Sequence, residues 1–225
     1  MNTGHLSRIL LSRILLSRVL LPRILWALPA FLLLLAGCTA EAHSPTVAAN
    51  VVEAMHAPDN AGFARAVAPY AFQFPRDHGA HPDYRTEWWY VTGAVDTPAG
   101  LTGFQLTFFR VRSGAAEQLK SSIAANQILF SHAAITLPGN KLLHAERAGR
   151  ANLGARFSTT DCDIHIGAWH MRREMSGRFS LQMQDPQFAM DLSLAPTQPL
   201  MLQGEQGYSQ KGAQQEMASY YVSWP

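Results

Sequence analysis

Phe179-Ser180-Leu181-Gln182-Met183-Gln184, then Asp185-Pro186-Gln187, then Phe188-Ala189-Met190-Asp191-Leu192-Ser193-Leu194 is the stretch whose reading decides the fold. Phe179, Leu181 and Met183 alternate with Ser180, Gln182 and Gln184. After a turn built on Asp185 and Pro186, Phe188, Met190, Leu192 and Leu194 are set against Asp191 and Ser193. A period of two with one apolar and one polar face is the pattern of a half-buried antiparallel pair. The expected hairpin directs Leu181 and Leu192 to the core.

The same grammar extends upstream. Glu87–Val95 is rich in aromatic and β-branched residues and ends at Asp96-Thr97-Pro98-Ala99-Gly100, a turn signal. Leu101–Arg112 alternates through Phe104, Leu106 and Phe108, and Ile128–Leu137 is an apolar run closed by Pro138-Gly139-Asn140. Cys162–Met171 alternates Ile164, Ile166 and Ala168 against His165 and Trp169. Helical spacing is confined to Leu142–Arg150, with a single helical turn expected around Ala61–Val67. There is no βαβ alternation, and neither GxGxxG nor GxxxxGK[ST] occurs. The expectation is an all-β, up-and-down barrel or sandwich with no cofactor.

Composition excludes whole classes. The chain has 225 residues, 48% hydrophobic and 15% charged, so it is not a low-hydrophobicity disordered polymer. Four of its 18 basic residues, Arg8, Arg13, Arg18 and Arg23, lie before residue 38, where there is no acidic residue. The 14 that remain face 16 acidic residues, which argues against a nucleic-acid partner.

Residues 6–25 repeat a five-residue unit with one arginine each, and Pro22 interrupts any helix there. Fourteen uncharged residues follow, Ile24–Gly37, too few to span a bilayer comfortably but the length of a signal-peptide core. They end at Leu35-Ala36-Gly37-Cys38, which resembles the lipobox of bacterial lipoproteins. The expected organisation is a signal peptide at 1–37, lipidation at Cys38, a tether over 38–68 and one domain over 69–225. The resemblance places the chain at the cell envelope, extracytoplasmic and membrane-attached through its lipid. Thr39 after the cysteine points to the outer membrane.

Several strings are more specific than periodicity. They are Phe74-Pro75-Arg76-Asp77-His78-Gly79, His81-Pro82-Asp83-Tyr84-Arg85-Thr86-Glu87-Trp88-Trp89-Tyr90-Val91-Thr92-Gly93, Phe104–Arg110, Ser131-His132-Ala133-Ala134, Gly207–Gly212 and Ser219–Ser223. Their order and content resemble the AttH-like family, which includes carotenoid 1,2-hydratases and predicted secreted hydrolases. The resemblance implies a lipocalin-like (calycin-type) antiparallel β-barrel, the first of two such halves. The string that marks the second half is not found, so the chain is expected to be the N-terminal half, and no catalytic acid is transferred to any residue.

The resemblance also implies a hydrophobic small molecule or lipid as ligand and ABC transporter components as partners, with hydration or hydrolysis of an isoprenoid-like substrate as the alternative. Trp88, Trp89, Tyr90, Phe104, Phe108 and Arg110 are the candidate ligand-binding residues. Trp88 and Trp89 must point to opposite faces of a strand. Glu87 and His132 are the candidate catalytic groups, weighed against an ion pair closing a barrel end and a satisfied core histidine. His78 and His81 are candidate metal ligands, weighed against a structural loop. Cys162, flanked by Asp161 and Asp163, is not a nucleophile on this reading.

Overall fold

A computed structural model describes residues 62–112, 126–213 and 218–225. The expected signal peptide, Cys38 and the expected tether up to residue 61 lie outside them. Nine strands form one sheet in sequence order: β1 (Thr86–Thr97), β2 (Gly100–Arg112), β3 (Gln127–Leu137), β4 (Lys141–Ala151), β5 (Gly154–Phe157), β6 (Asp163–Ile166), β7 (Trp169–Arg173), β8 (Phe179–Gln184) and β9 (Ala189–Leu194). All neighbours are antiparallel except β4 and β5. The sheet curls, so that β6 packs across β3 and β4. Two short pairs follow, β10 (Met201–Leu202) with β13 (Val222–Ser223) and β11 (Tyr208–Gln210) with β12 (Ala218–Tyr220).

The hairpin read first forms in the expected register: Leu181 faces Leu192, and Gln182 faces Asp191. Leu181 is fully buried, and Leu192 packs half-buried against the same core. The inner face of the curl is filled by Leu106, Phe108, Leu129, Ile164, Trp169 and Leu181 with their neighbours. Removing that area from water, at about 25 cal/mol per Å², is what drives the sheet to curl.

Three expectations are corrected. Leu142–Arg150 is strand, not helix: Lys141–Ala151 pairs along β3 through ten registered residues, with Leu143, Ala145, Arg147 and Gly149 on the inner side. Strand pairing outweighs the good helix propensities of Leu, Ala, Glu and Arg. Cys162–Met171 is two strands, because Gly167 adopts φ +58° and turns the chain. The turn resets the alternation, so Trp169 falls on the inner face and is fully buried. Finally, Ala64 bridges Tyr84 and donates its N–H to the carbonyl of Asp83 (2.9 Å), so this end of the expected helical turn is extended and tied to the segment that leads into β1.

Candidate functional site

The richest motif, Phe74–Gly93, runs from a 3-10 turn at Arg76–His78 into β1. Gly79 permits the entry: a Cβ there would lie 2.7 Å from the backbone of Thr159, and the next amide, Ala80 N–H, bonds the carbonyl of Ser158 (2.8 Å). With the loop pinned, His78 and His81 take different directions. His78 packs among Phe74, Phe179 and Trp224. Burial there pushes its pKa down to about 4, with Arg173 adding to the effect and the Asp161 and Asp77 carboxylates opposing it.

His81 instead joins a chain of charges. Its Nδ1 lies 2.6 Å from Glu87 Oε1 and its Nε2 3.2 Å from Asp77 Oδ1. Its own N–H donates to Glu87 Oε2 (2.9 Å). The hydrogen bond to Glu87 raises the His81 pKa; burial opposes this and Asp77 reinforces it. Burial pushes Asp77 up, but the Gln73 N–H, His81 and Arg76 outweigh it and hold the carboxyl below its ordinary value.

Arg110 closes the chain. It faces Glu87 across the β1–β2 register and is 0% exposed. Its Nε donates to Glu87 Oε2 (3.0 Å), Nη1 to Gln127 Oε1 (2.7 Å), and Nη2 to the carbonyls of His81 (3.0 Å) and Tyr84 (2.9 Å). Burial lowers its pKa, with Glu87 opposing, yet a guanidinium stays charged in a protein. The box Asp77–His81–Glu87–Arg110 therefore spends most of its hydrogen-bonding capacity within itself. Glu87 is the carboxylate of an ion pair, as one sequence reading held, and Arg110 on the neighbouring strand is the partner that holds it. Among the described residues no group of three or more His, Cys, Asp or Glu is arranged to hold a metal ion.

The structure divides the expected ligand-binding residues between two faces. Trp89 packs on the inner core and donates its indole N–H to the carbonyl of His78 (2.9 Å); Phe104, Phe108 and Arg110 are buried on the same face. Trp88 (38% exposed) and Tyr90 (42% exposed) stand on the outer face. Register puts Trp88 beside Phe109, and Phe109 beside Phe130, in one cross-strand row. Phe130 and Val111 are buried there, with Phe109 and Ile128 packed against them.

Sequence reasoning did not find the neighbouring row. His132 of β3 lies opposite Thr107 of β2 and Glu146 of β4, and Ala134 lies opposite Gln105 and His144. Gln105, His132, Ala134, His144 and Glu146 line a hollow of about 170 Å³ that shares Gln105 and Ala134 with a second, of about 210 Å³, reaching Thr136 and Leu142. A pairing register is the missing signal: the four polar residues, Gln105, His132, His144 and Glu146, sit on three strands. Cys162 is buried, and burial, joined by the Asp161 and Asp163 carboxylates, pushes its thiol up to about 12, far from nucleophilic.

A curled antiparallel sheet around an apolar core, with an ion-paired box at its entry strand, defines a lipocalin-like all-β protein. The AttH-like family model matches residues 65–225, and the chain belongs to the AttH-like family. It is similar to the crystal structure of a Nitrosomonas europaea protein designated an AttH, with 40% sequence identity and a TM-score of 0.64 over 72% of this chain. The match covers 49% of that protein, so this chain spans about half its length. No curated protein matches the sequence.

Proposed function

We propose that the protein holds a hydrophobic ligand at the cell envelope and does so on the outer face of β1–β4. The observation that carries this reading is the exposure of Trp88 and Tyr90 beside the Phe109–Phe130 row, opposite an inner face already filled with side chains. Both rings are partly exposed, and the Tyr90 hydroxyl is hydrogen-bonded to that of Tyr221; a row of partly exposed aromatics on a sheet face marks a contact surface more often than a lone exposed leucine does. They also give apolar area at little cost in side-chain entropy.

Cys38 anchors the chain through its lipid, which keeps this face near the source of apolar molecules. Two acyl chains hold a protein far more firmly than one. Partnership with ABC transporter components would give the held ligand a destination.

The experiment is a titration of monodisperse protein with diphenylhexatriene, a fluorescent apolar probe. Saturable binding weakened at least tenfold by Trp88→Ala, with the melting temperature unchanged, is the expected result. Binding untouched by Trp88→Ala and by Tyr90→Ala overturns the outer-face reading. The anchor is tested separately, by the mass of the protein extracted from its host: acyl increments at Cys38, lost in Cys38→Ala.

A further inference from the structure

We propose that the hollow at His132 seats the primary ammonium of an amphiphilic amine whose chain runs along the outer face of β1–β4. The inference rests on the outer-face reading above and names the chemistry of the ligand's polar end.

The hollow is built by register. Glu146, His132 and Thr107 form one cross-strand row, and His144, Ala134 and Gln105 form the next. The small side chain of Ala134 leaves the floor low between larger neighbours. His132 Nε2 is buried and has no hydrogen-bond partner. The nearest acid, Glu146 Oε1, is 3.9 Å away, beyond hydrogen-bonding reach. A buried polar nitrogen without a partner is uncommon in a folded protein and calls for an explanation. The His132 ring is held in place by Phe109, 5.6 Å away between centroids.

The groups around that nitrogen are mostly acceptors. Glu146 offers carboxylate oxygens. Gln105 uses its amide nitrogen on Thr107 Oγ1 (3.3 Å), which leaves its carbonyl oxygen as the acceptor end. His132 Nε2 accepts in the tautomer that places its proton on Nδ1. Three acceptors match the three N–H donors of a primary ammonium, and the carboxylate matches its charge. A carboxylate head would meet Glu146 as a like charge.

Size and polarity set the rest. A volume of about 170 Å³ takes a head group and a few carbons, not a whole lipid. The adjoining hollow becomes apolar toward Leu142, and on the other side the surface leads to Tyr90 and Trp88. The hollow thus opens on apolar surface in both directions along the strands.

The test compares decylamine, decanol and decanoate below their critical micelle concentrations, with butylamine and butyrate alongside, by calorimetry on the full chain. Decylamine is expected to bind at least tenfold more tightly than decanoate. Glu146→Gln and, independently, His132→Phe should reduce that ratio to about one without moving the melting temperature. Equal binding of amine and carboxylate, both improving from butyl to decyl, overturns the ammonium seat and leaves the apolar outer face standing. A head-group preference with no gain from butyl to decyl overturns the outer-face reading instead. Sedimentation with phosphatidylethanolamine against phosphatidylcholine vesicles separates the sources of the ammonium. Preference for the first assigns it to a lipid head group, and binding of free decylamine alone assigns it to a single-chain amine. No preference for an ammonium in either format overturns the inference.

Discussion

Two polar clusters on neighbouring strands are built in opposite ways. In the box at the start of β1, Arg110 directs hydrogen bonds to four acceptors and Glu87 receives three of its neighbours' donors, so most of the capacity of both is already used. In the hollow on β2–β4, a buried imidazole nitrogen has no hydrogen-bond partner. The first arrangement fixes a fold, because breaking a buried ion pair leaves an uncompensated charge. The second leaves hydrogen-bonding capacity over. Richness in charged residues is therefore a poor guide to function in this chain, and unused capacity is the better one.

Breaking the ion-paired box should produce the largest effect. Arg110→Ala strands Glu87 and two backbone carbonyls, and about 3–5 kcal/mol of stability should be lost, read as a shift of the urea midpoint. A loss within about 0.5 kcal/mol would show that the box is a surface pair and not a buried one. In the core beside it, Leu181→Ala should cost about 2–5 kcal/mol, with Leu192→Ala below it because Leu192 is only half-buried. Gln182→Ala, on the outer side, should stay within about 0.5 kcal/mol. Equal costs at 181 and 182 would contradict the register.

The acid limb of stability sharpens the same contrast. His78 titrates near 4 in the fold against an ordinary value of 6.5. Its contribution is therefore complete above pH 6.5 and is lost as pH falls from there through 4. Thermal melts should show the wild-type protein losing stability across that window more steeply than His78→Gln. Parallel curves would mean that His78 is not neutral among Phe74, Phe179 and Trp224. Asp77, held below its ordinary value, adds a further loss at still lower pH. The smallest effect belongs to the hollow: His132→Phe and Glu146→Gln should each change stability by no more than about 0.5 kcal/mol. A larger loss at either would make the hollow part of the fold's framework.

How much of this could be read from the sequence differs by region for physical reasons. Strict alternation announced β8 and β9, since a half-buried strand must separate its residues by face. It also announced that Trp88 and Trp89 part company. Which one turns inward depended on Trp89 meeting Phe108 across the strand pair, a contact between residues 19 apart in sequence. The tight turn at Gly167 was hidden because Ile166 and Ala168 continue an apolar alternation straight through it. β4 was hidden by Leu142-Leu143-His144-Ala145-Glu146-Arg147, residues that favour helix in isolation and become strand only beside β3. The candidate site was half legible. An ion pair at Glu87 is legible beside Arg85 on the same strand face, but Arg110, which holds the carboxylate from the next strand, is not, and the Gln105–His132–Glu146 hollow appears only when three strands are aligned.

The most direct test of the account is the position of the bound chain. A decylamine carrying a diazirine at its methyl end, photolysed on the protein and mapped by peptide mass spectrometry, should insert on the outer face, at Trp88, Tyr90, Thr92 or Leu142. The labelling should fall when excess unlabelled decylamine is present. Insertion into Leu106, Phe108 or Trp169 would place the ligand inside the curl and contradict the outer-face account.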